Sequence, residues 1–309
     1  MNDLSVLDRL HGIAVGAALG DAFGMPLEFK PAVQLHKILR SLTPGRLPAG
    51  TFTDDTEMAL ALAESLLAVH PLNGNDLAQR FLDWYRRDPD DIGNQTRSIL
   101  ENIAHRKDWE KVAAESLRFR PDSAGNGSVM RCWPIAIAWW NCLPQLIADS
   151  ALQSRVTHPH PECVSGSVFV NAWIAGLVQG KTALDAFDQA LSDVEMPREL
   201  RLVLKQAPSL RREALVNSGW ARHTLQTAAW AVLTTSSFPE AVIQAANLGN
   251  DADTGAAVTG AVAGAVYGLG AIPADWRAQV HGEWPIHSGK TWFEADLTAL
   301  ADRLAQIQS

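Results

Sequence analysis

Glycine recurs every fourth residue in two separate stretches of this chain, and this spacing restricts the possible folds more than any other feature. The positions are Gly12, Gly16, Gly20 and Gly24 in the first stretch, and Gly260, Gly264 and Gly268 in the second. Residues four apart lie on one face of an α-helix. Glycine within a helix costs about 0.5–1 kcal/mol relative to alanine, and close approach of another backbone is the usual compensation. We therefore predict two helices at the centre of a bundle, packed against each other. The simpler alternative is a pair of Ala/Gly-rich core helices without special contact.

The rest of the chain supports a helical fold class. Apolar residues recur mostly at helical spacing, and convincing period-two stretches between turn signals are absent. Hydrophobic residues make up 47% of the 309 residues and charged residues 19%, which is ample material for a core. The prediction is an all-α, compact, many-helix orthogonal bundle that forms one domain over residues 1–309.

Charge, cysteine usage and hydropathy indicate the cellular environment in which we expect the protein. A net charge of −8 gives no reason to expect nucleic acid as a partner. The three cysteines lack CxxC spacing, and the acidic N-terminus does not resemble a signal peptide, so we expect a reduced, cytoplasmic protein. The uncharged run 255–272 approaches membrane-spanning length. Because it is mostly Ala and Gly, a buried helix is the better interpretation, and we expect no membrane association.

Two adjacent aspartates stand at the start of an apolar helix in the segment TFTDDTEMAL, residues 51–60. Asp54, with Glu57 three residues later, comes close to a capping box. Acidic groups in a first turn also complement the helix dipole. Taken alone, this segment favours helix capping.

A second acidic segment, GNDADTG at residues 249–255, changes that interpretation. It offers Asp251 and Asp253 and the hydroxyl of Thr254, again just before an apolar helix. Carboxylates placed close together repel unless a positive charge lies between them. Oxygen ligands without His or Cys suit Mg²⁺ or Mn²⁺ rather than Zn²⁺, and four carboxylates can hold two ions about 3.5–4 Å apart. We predict that folding brings the two segments together; the alternative is a pair of caps and a turn.

Three further segments carry groups that could bind a ligand. GNGSVMR, residues 125–131, is a turn that we expect to lead into a helix beginning near Ser128, where backbone N–H groups can bind phosphate. THPHPE, residues 157–162, could suggest zinc, but its prolines favour an extended loop whose histidine contacts a ligand or caps a helix. DIGNQT, residues 91–96, places Asp91 before a Gly-Asn turn, with helix capping as the alternative.

With these segments assembled, the chain resembles the ADP-ribosylglycohydrolase family, most closely its bacterial dinitrogenase-reductase-activating members. The resemblance spans residues 12 to about 270, and the segment from about 181 to 225 matches none of its motifs. The matching segments are GIAVGAALGDAFGMPLEF, TDDTEMALAL, DIGNQT, GNGSVMRCWPIAI, THPHPECVSGSVF and AANLGNDADTGAAVTGAVAGAVYG. The resemblance implies an all-α fold with two Mg²⁺ or Mn²⁺ ions in a cleft.

The resemblance also implies roles for individual residues. Glu28 would be a flexible acidic residue at the cleft, and Asp91 would meet the guanidinium of a modified arginine. His158 would contact a ribose or phosphate. Catalytic roles would fall to Glu28, Asp54 and Asp55. The implied metal ligands are Thr53, Asp54, Asp55, Asp251, Asp253 and Thr254. The implied loop around the distal ribose and phosphates is Gly125, Asn126, Gly127 and Ser128.

The activity expected from this resemblance is metal-dependent hydrolysis of the N-glycosidic bond between ADP-ribose and a protein arginine. Glycoside cleavage passes through an oxocarbenium-like state, and Asp54 or Asp55 could take the proton of the attacking water. The expected partners are an ADP-ribosylated protein and ADP-ribose, and a monomer is the default. The alternatives are a hydrolase of another ADP-ribose linkage, to serine or a nucleic-acid base, and an ADP-ribose-binding protein without turnover.

Overall fold

The structure is a computed structural model that describes residues 4–308, and these residues confirm the all-α prediction. Fifteen α-helices lie in this range. They are α1 Val6–Gly24, α2 Asp54–Ala68, α3 Gly74–Tyr85, α4 Asn94–Arg106, α5 Trp109–Phe119, α6 Trp133–Trp139, α7 Leu143–Thr157, α8 Pro161–Val178, α9 Ala183–Asp193, α10 Arg198–Gln206, α11 Ala221–Thr234, α12 Phe238–Ala246, α13 Ala252–Tyr267, α14 Ala274–Arg277 and α15 Glu294–Ala305. Short 3₁₀ turns add Met25–Leu27, Leu35–Lys37, Ala207–Ser209, Arg212–Ala214, Leu269–Ala271 and Gln306–Gln308.

Helices α1 and α13 pack backbone to backbone in antiparallel directions. A methyl group added to Gly16 would lie 2.3 Å from the carbonyl oxygen of Gly260, and one added to Gly20 would lie 2.0 Å from that of Ala256. Side-chain carbon atoms do not approach this closely, so the contact requires glycine. The prediction that the two glycine-rich helices pack against each other is confirmed. Gly268 is the exception, because it lies beyond α13 as a C-cap residue with a φ of 76°.

The α1–α13 contact places two chain segments at one end of the bundle. Gly24, the last residue of α1, lies against Ala252 and Asp253, the first two residues of α13. The turn after α1 leads directly to Glu28. The first and last thirds of the sequence therefore meet where α1 ends and α13 begins.

A two-stranded antiparallel sheet was not predicted. Strands β1 (His281–Glu283) and β2 (Thr291–Phe293) pair in the register His281 with Phe293 and Glu283 with Thr291. Three-residue strands are too short to show a period of two, which explains the omission. The sheet borders the segment before α2, since the N–H of Phe52 donates to the carbonyl of His281 at 2.9 Å.

Within residues 4–308, two helical segments are long and apolar enough to cross a membrane, Val6–Leu27 and Pro161–Val178. In both, 89% of the apolar window is buried against the rest of the protein. Central helices of a many-helix core have the same length and composition, so this finding is weak support for membrane insertion. The run 255–272, which raised the question in the sequence, lies largely in α13, whose residues Ala252 to Ala265 are buried.

Candidate active site

The two acidic segments meet in one cleft. The hydroxyl of Thr254 donates to Oδ2 of Asp55 at 3.3 Å, although the two residues are 199 positions apart in the chain. The cleft has a volume of about 530 Å³. Its acidic lining consists of Glu28, Asp54, Asp55, Asp91, Asp251 and Asp253. The structure thus brings together the carboxylates that the sequence singled out as metal ligands.

Helix capping does not explain these aspartates. Helix α2 begins at Asp54, and the residue in the N-cap position is Thr53, whose side chain makes no capping hydrogen bond. Asp251 occupies the N-cap position of α13 and likewise makes no capping bond. The carboxylates of Asp54 and Asp55 belong to a first helical turn, where the helix dipole favours negative charge, and both line the cleft.

A buried aspartate in α1, Asp21, holds the start of α2. Its carboxylate accepts hydrogen bonds from the N–H and hydroxyl of Thr53, at 2.8 and 2.7 Å, and from the N–H and hydroxyl of Thr56, at 3.2 and 2.6 Å. Burial raises the pKa of Asp21, and the four hydrogen bonds oppose that shift. The Thr53 hydroxyl donates its proton to Asp21. The lone pairs of its oxygen therefore point away from Asp21. No sequence pattern indicated this role of Asp21.

The electrostatics of the cleft call for a positive charge. Burial raises the pKa of Asp54, Asp55 and Asp253 well above the usual aspartate range, and repulsion from neighbouring carboxylates adds to the shift. Oδ1 of Asp55 is buried and has no hydrogen-bond partner among residues 4–308. A buried acceptor without a partner is costly. An oxygen-only donor set with one unpaired oxygen fits a hard divalent cation.

Three carboxylates converge at the mouth of the cleft. Oxygen atoms of Glu28, Asp91 and Asp253, the acidic triad, lie within 4.8 Å of one another. Burial raises the pKa of Glu28, with a further contribution from the Asp91 charge. The guanidinium of Arg46 donates to Oε2 of Glu28 at 3.1 Å and also to Oδ2 of Asp91. Arg46 was not foreseen from the sequence, since it lies in a segment without regular structure.

The glycine-rich segment differs from its prediction in two respects. Residues 126–131 form turns, and the helix predicted near Ser128 begins at Trp133, with Pro134 in its first turn. Gly125, Asn126 and Gly127 line the cleft as expected. The Ser128 hydroxyl instead points inward, where it accepts a hydrogen bond from the Ser154 hydroxyl at 2.9 Å. Ser128 therefore supports the loop from behind.

His158 lies in the cleft lining although its residue is only 2% exposed. Its Nδ1 is 2.7 Å from the hydroxyl of Thr157. Its Nε2 lies beside the glycine loop, where a methyl group added to Gly127 would be only 2.9 Å away. Burial lowers the pKa of His158 well below the usual histidine value, and the charge of Arg131 contributes. Both effects favour the neutral form of the imidazole.

The other polar residues of the THPHPE segment are structural. His160 is the N-cap residue of α8, and its Nδ1 accepts from the N–H of Glu162 at 3.2 Å. The Glu162 carboxylate binds the guanidinium of Arg222 and accepts from the Trp220 indole at 2.8 Å. Both groups are occupied, which removes the zinc interpretation of this segment.

The segment 181–225, which matched no motif, connects two loops of the site. The side-chain amide of Asn217 donates to the carbonyls of Gly249 and Asp251, at 2.7 and 3.0 Å. The N–H of Asn126 donates to the carbonyl of Gly219 at 3.0 Å. A single buried asparagine gives no recognisable pattern in one sequence, so this connection could not be predicted.

Comparison with known proteins agrees with the geometry. The sequence model for ADP-ribosylglycohydrolase matches residues 2–309. The chain belongs to the ADP-ribosylglycohydrolase family. The sequence resemblance is thereby confirmed, as is the expectation of an enzyme.

Similar members of the ADP-ribosylglycohydrolase family come from several bacteria. The ADP-ribosylarginine hydrolase Tri1 of Serratia proteamaculans is 37% identical over 282 residues, which is 87% of this chain and 74% of that protein. The ADP-ribosyl-[dinitrogen reductase] glycohydrolase of Rhodospirillum rubrum is 32% identical and covers 91% of this chain and 92% of its own. A solved structure titled ADP-ribosylglycohydrolase-related protein complex matches with a TM-score of 0.80, 32% identity and 99% coverage of both chains.

In this ADP-ribosylglycohydrolase a second, smaller cavity adjoins the cleft at Asp54. It has a volume of about 160 Å³ and is bordered by Arg46, Glu57, Asp91 and Glu283, among other residues. Burial raises the pKa of Glu57 to about 8, although the indole of Trp84 donates a hydrogen bond of 2.8 Å to its carboxylate. The cavity extends the acidic surface outward from the expected reaction centre.

Proposed function

We propose that this chain is a divalent-metal-dependent hydrolase that releases ADP-ribose from a modified arginine of a protein. The observation that carries the proposal is the convergence of both acidic segments on one cleft whose mouth already binds a guanidinium, that of Arg46, at Asp91.

The donor set supports a metal site. Two Mg²⁺ or Mn²⁺ ions would be held by Thr53, Asp54, Asp55, Asp251, Asp253 and Thr254. These residues offer only oxygen, and the unpaired Oδ1 of Asp55 is the strongest indication that a ligand is needed there. When bound, the ions supply Lewis-acid chemistry, which polarises hydroxyl groups and makes a water molecule more acidic.

The protein's own residues would perform three further tasks. Buried carboxylates stabilise the positive charge that develops on the ribose in an oxocarbenium-like state. Asp54 or Asp55, both carboxylates of the cleft lining, accepts the proton of the attacking water. Glu28, whose side chain is only 8% exposed, would shield one side of the reacting carbon from bulk water.

Recognition of the two ends of the substrate falls to different residues of the cleft lining. The loop from Gly125 to Gly127 and His158 bind the distal ribose and phosphates. Asp91 pairs with the guanidinium of the modified arginine, since a carboxylate and a guanidinium form charge-assisted hydrogen bonds. The contact between the Arg46 guanidinium and Asp91 supports this pairing. The arginine-directed name of the Serratia relative supports the same linkage.

The first test separates linkages. Arginine-linked and serine-linked ADP-ribosylated proteins are each incubated with the enzyme, with Mg²⁺, Mn²⁺ or EDTA, and released ADP-ribose is quantified. We expect release from arginine only, and only with metal. Release from serine alone would refute the linkage, and no release at any metal concentration would refute the hydrolase.

The second test concerns the metal ligands. Asp55→Asn and Asp253→Asn should each lose Mn²⁺ binding in calorimetry and turnover together, by at least about 100-fold, since even indirect supports of a metal site cost 10- to 100-fold. The exposed Asp83→Asn, on α3, is the matched control and should behave as wild type. Full Mn²⁺ affinity in both cleft variants would contradict the ligand assignment.

A further inference from the structure

Arg131 is a fully buried arginine that forms no ion pair with a carboxylate among residues 4–308. Its guanidinium lies over the ring of Phe81, with Cζ 4.1 Å from the ring centroid, and Nη1 lies 3.6 Å from Sδ of Met58. Burial lowers its pKa to about 9. An unpaired buried charge is among the most costly arrangements in a protein. Its remaining donors all point toward residues that support the anion-binding side of the cleft.

The first set of contacts passes through Thr157 to His158. Nη2 of Arg131 donates to the hydroxyl oxygen of Thr157 at 2.8 Å. An arginine can only donate, so the Thr157 oxygen is an acceptor in this contact. The hydroxyl proton then has one neighbouring acceptor among the described residues, Nδ1 of His158 at 2.7 Å. A buried hydroxyl proton needs a partner, and therefore Nδ1 is the unprotonated nitrogen.

This chain of contacts determines which nitrogen of His158 faces the ligand as a donor. In a neutral imidazole one nitrogen carries the proton and the other accepts. With Nδ1 accepting from Thr157, the proton resides on Nε2. That nitrogen lies beside Gly125 and Gly127, where added methyl groups would be 3.3 and 2.9 Å away, so the absence of side chains leaves its N–H open to the cleft.

The second set of contacts passes through Gln153 to the glycine loop. Nε of Arg131 donates to Oε1 of Gln153 at 3.0 Å, which orients the amide. The amide nitrogen then donates to the carbonyl of Ser128 at 2.9 Å. Nη2 of Arg131 also donates to the carbonyl of Gln153 at 3.1 Å. One guanidinium thus supports both the histidine and the loop that border the same part of the cleft.

We propose that Arg131 is a positioning residue for a diphosphate group in the cleft: through Thr157 it keeps His158 as an Nε2–H donor, and through Gln153 it holds the loop from Gly125 to Ser128 in place. The inference rests on the proposed function, because it takes the diphosphate of ADP-ribose as the ligand. A neutral N–H donor and a buried positive charge behind it both favour a phosphate oxygen over a cation or a hydrogen-bond donor.

The decisive variant is Thr157→Val, which removes the hydroxyl with little change of shape and leaves Arg131 bonded to Gln153. Without the hydroxyl proton, Nδ1 of His158 loses the partner that selects the tautomer. We expect long-range ¹H–¹⁵N spectra of protein labelled at histidine to show Nε2–H in the wild type and a mixture or Nδ1–H in Thr157→Val. Thr157→Ser keeps the hydroxyl and should restore the wild-type spectrum.

The affinity for ADP-ribose, measured by calorimetry, should follow the spectra. Loss of a donor to a charged acceptor is worth about 1.5–3 kcal/mol, which corresponds to roughly 10- to 100-fold weaker binding in Thr157→Val. Thr157→Ser should bind as wild type. With an ADP-ribosylated substrate, KM should rise in Thr157→Val more than kcat falls. A Nδ1–H tautomer in the wild type, or unchanged spectra and affinity in Thr157→Val, would overturn this route.

Gln153→Glu tests the second route without removing a packing partner. The new carboxylate pairs with Arg131, so the buried charge gains a counter-ion, but it cannot donate to the Ser128 carbonyl. We expect a protein that folds and binds ADP-ribose about tenfold more weakly, because one hydrogen bond to the loop and the local positive charge are both lost. Wild-type affinity in Gln153→Glu would refute this route. If the wild type itself binds no ADP-ribose, the proposed function fails instead, whereas the tautomer is observed without any ligand.

Discussion

Gly20→Ala is the substitution that tests most directly how the bundle centre is built. The added methyl carbon would lie 2.0 Å from the carbonyl oxygen of Ala256, whereas ordinary contact begins near 3.4 Å. Helices α1 and α13 must therefore separate by about 1.4 Å at this point, with backbone on both sides. Overpacking of this kind costs about 1–3 kcal/mol or more, and the higher helix propensity of alanine returns about 0.5–1 kcal/mol.

The net destabilisation should be about 1–2 kcal/mol, which lowers the melting temperature by roughly 2–3 °C for a chain of this size. Thermal unfolding followed by circular dichroism measures it directly. Gly270→Ala is the matched control, since Gly270 is exposed and the nearest atom to an added methyl is 4.0 Å away. If Gly20→Ala melts no lower than Gly270→Ala, backbone contact between the two helices is not what the glycines provide.

Two further substitutions test the supports of the acidic cleft. Asp21→Asn should lower the melting temperature and weaken Mn²⁺ binding in calorimetry. The new amide nitrogen would face hydrogen-bond donors, and each unsatisfied buried group costs about 1–3 kcal/mol. Wild-type values in both measurements would contradict the role given to Asp21. Arg46→Gln should tighten Mn²⁺ binding about three- to tenfold, since it removes a competing, partly exposed positive charge beside the acidic triad. Equal or weaker Mn²⁺ binding by Arg46→Gln would show that this guanidinium does not compete with cations.

Features that repeat or cluster in the sequence could be predicted. The glycine spacing led to the α1–α13 contact because a four-residue period has one simple geometric meaning in a helix. The two pairs of aspartates were predicted to share one cleft. Each pair lies at a helix start, and its negative charges repel each other unless a cation lies between them. Gly125, Asn126, Gly127 and His158 line the same cleft, and their contacts with a ribose or phosphate stay a prediction.

Features that depend on a single residue could not be predicted. Asp21, Arg131 and Asn217 have no sequence pattern that distinguishes them from ordinary charged or polar residues, and each acts by hydrogen bonds to segments distant in the chain. The helix expected at Ser128 was wrong because the turn around Asn126 continues for several residues before Pro134 allows a helix to start. Local helix propensity does not reflect such contacts between distant parts of the chain.

Helix α1 explains why two acidic segments so far apart in the chain share one site. Successive residues in an α-helix are turned by about 100°, so Gly20 and Gly24 point toward α13 while Asp21, the next residue after Gly20, points toward α2. One face of α1 thus packs against the start of α13, and the adjacent face binds the start of α2. The two helix starts then necessarily meet beyond the end of α1, where Thr254 contacts Asp55. Residues 20–24 of α1 therefore hold both helix starts and, together with the loop contacts of Asn217, position the carboxylates.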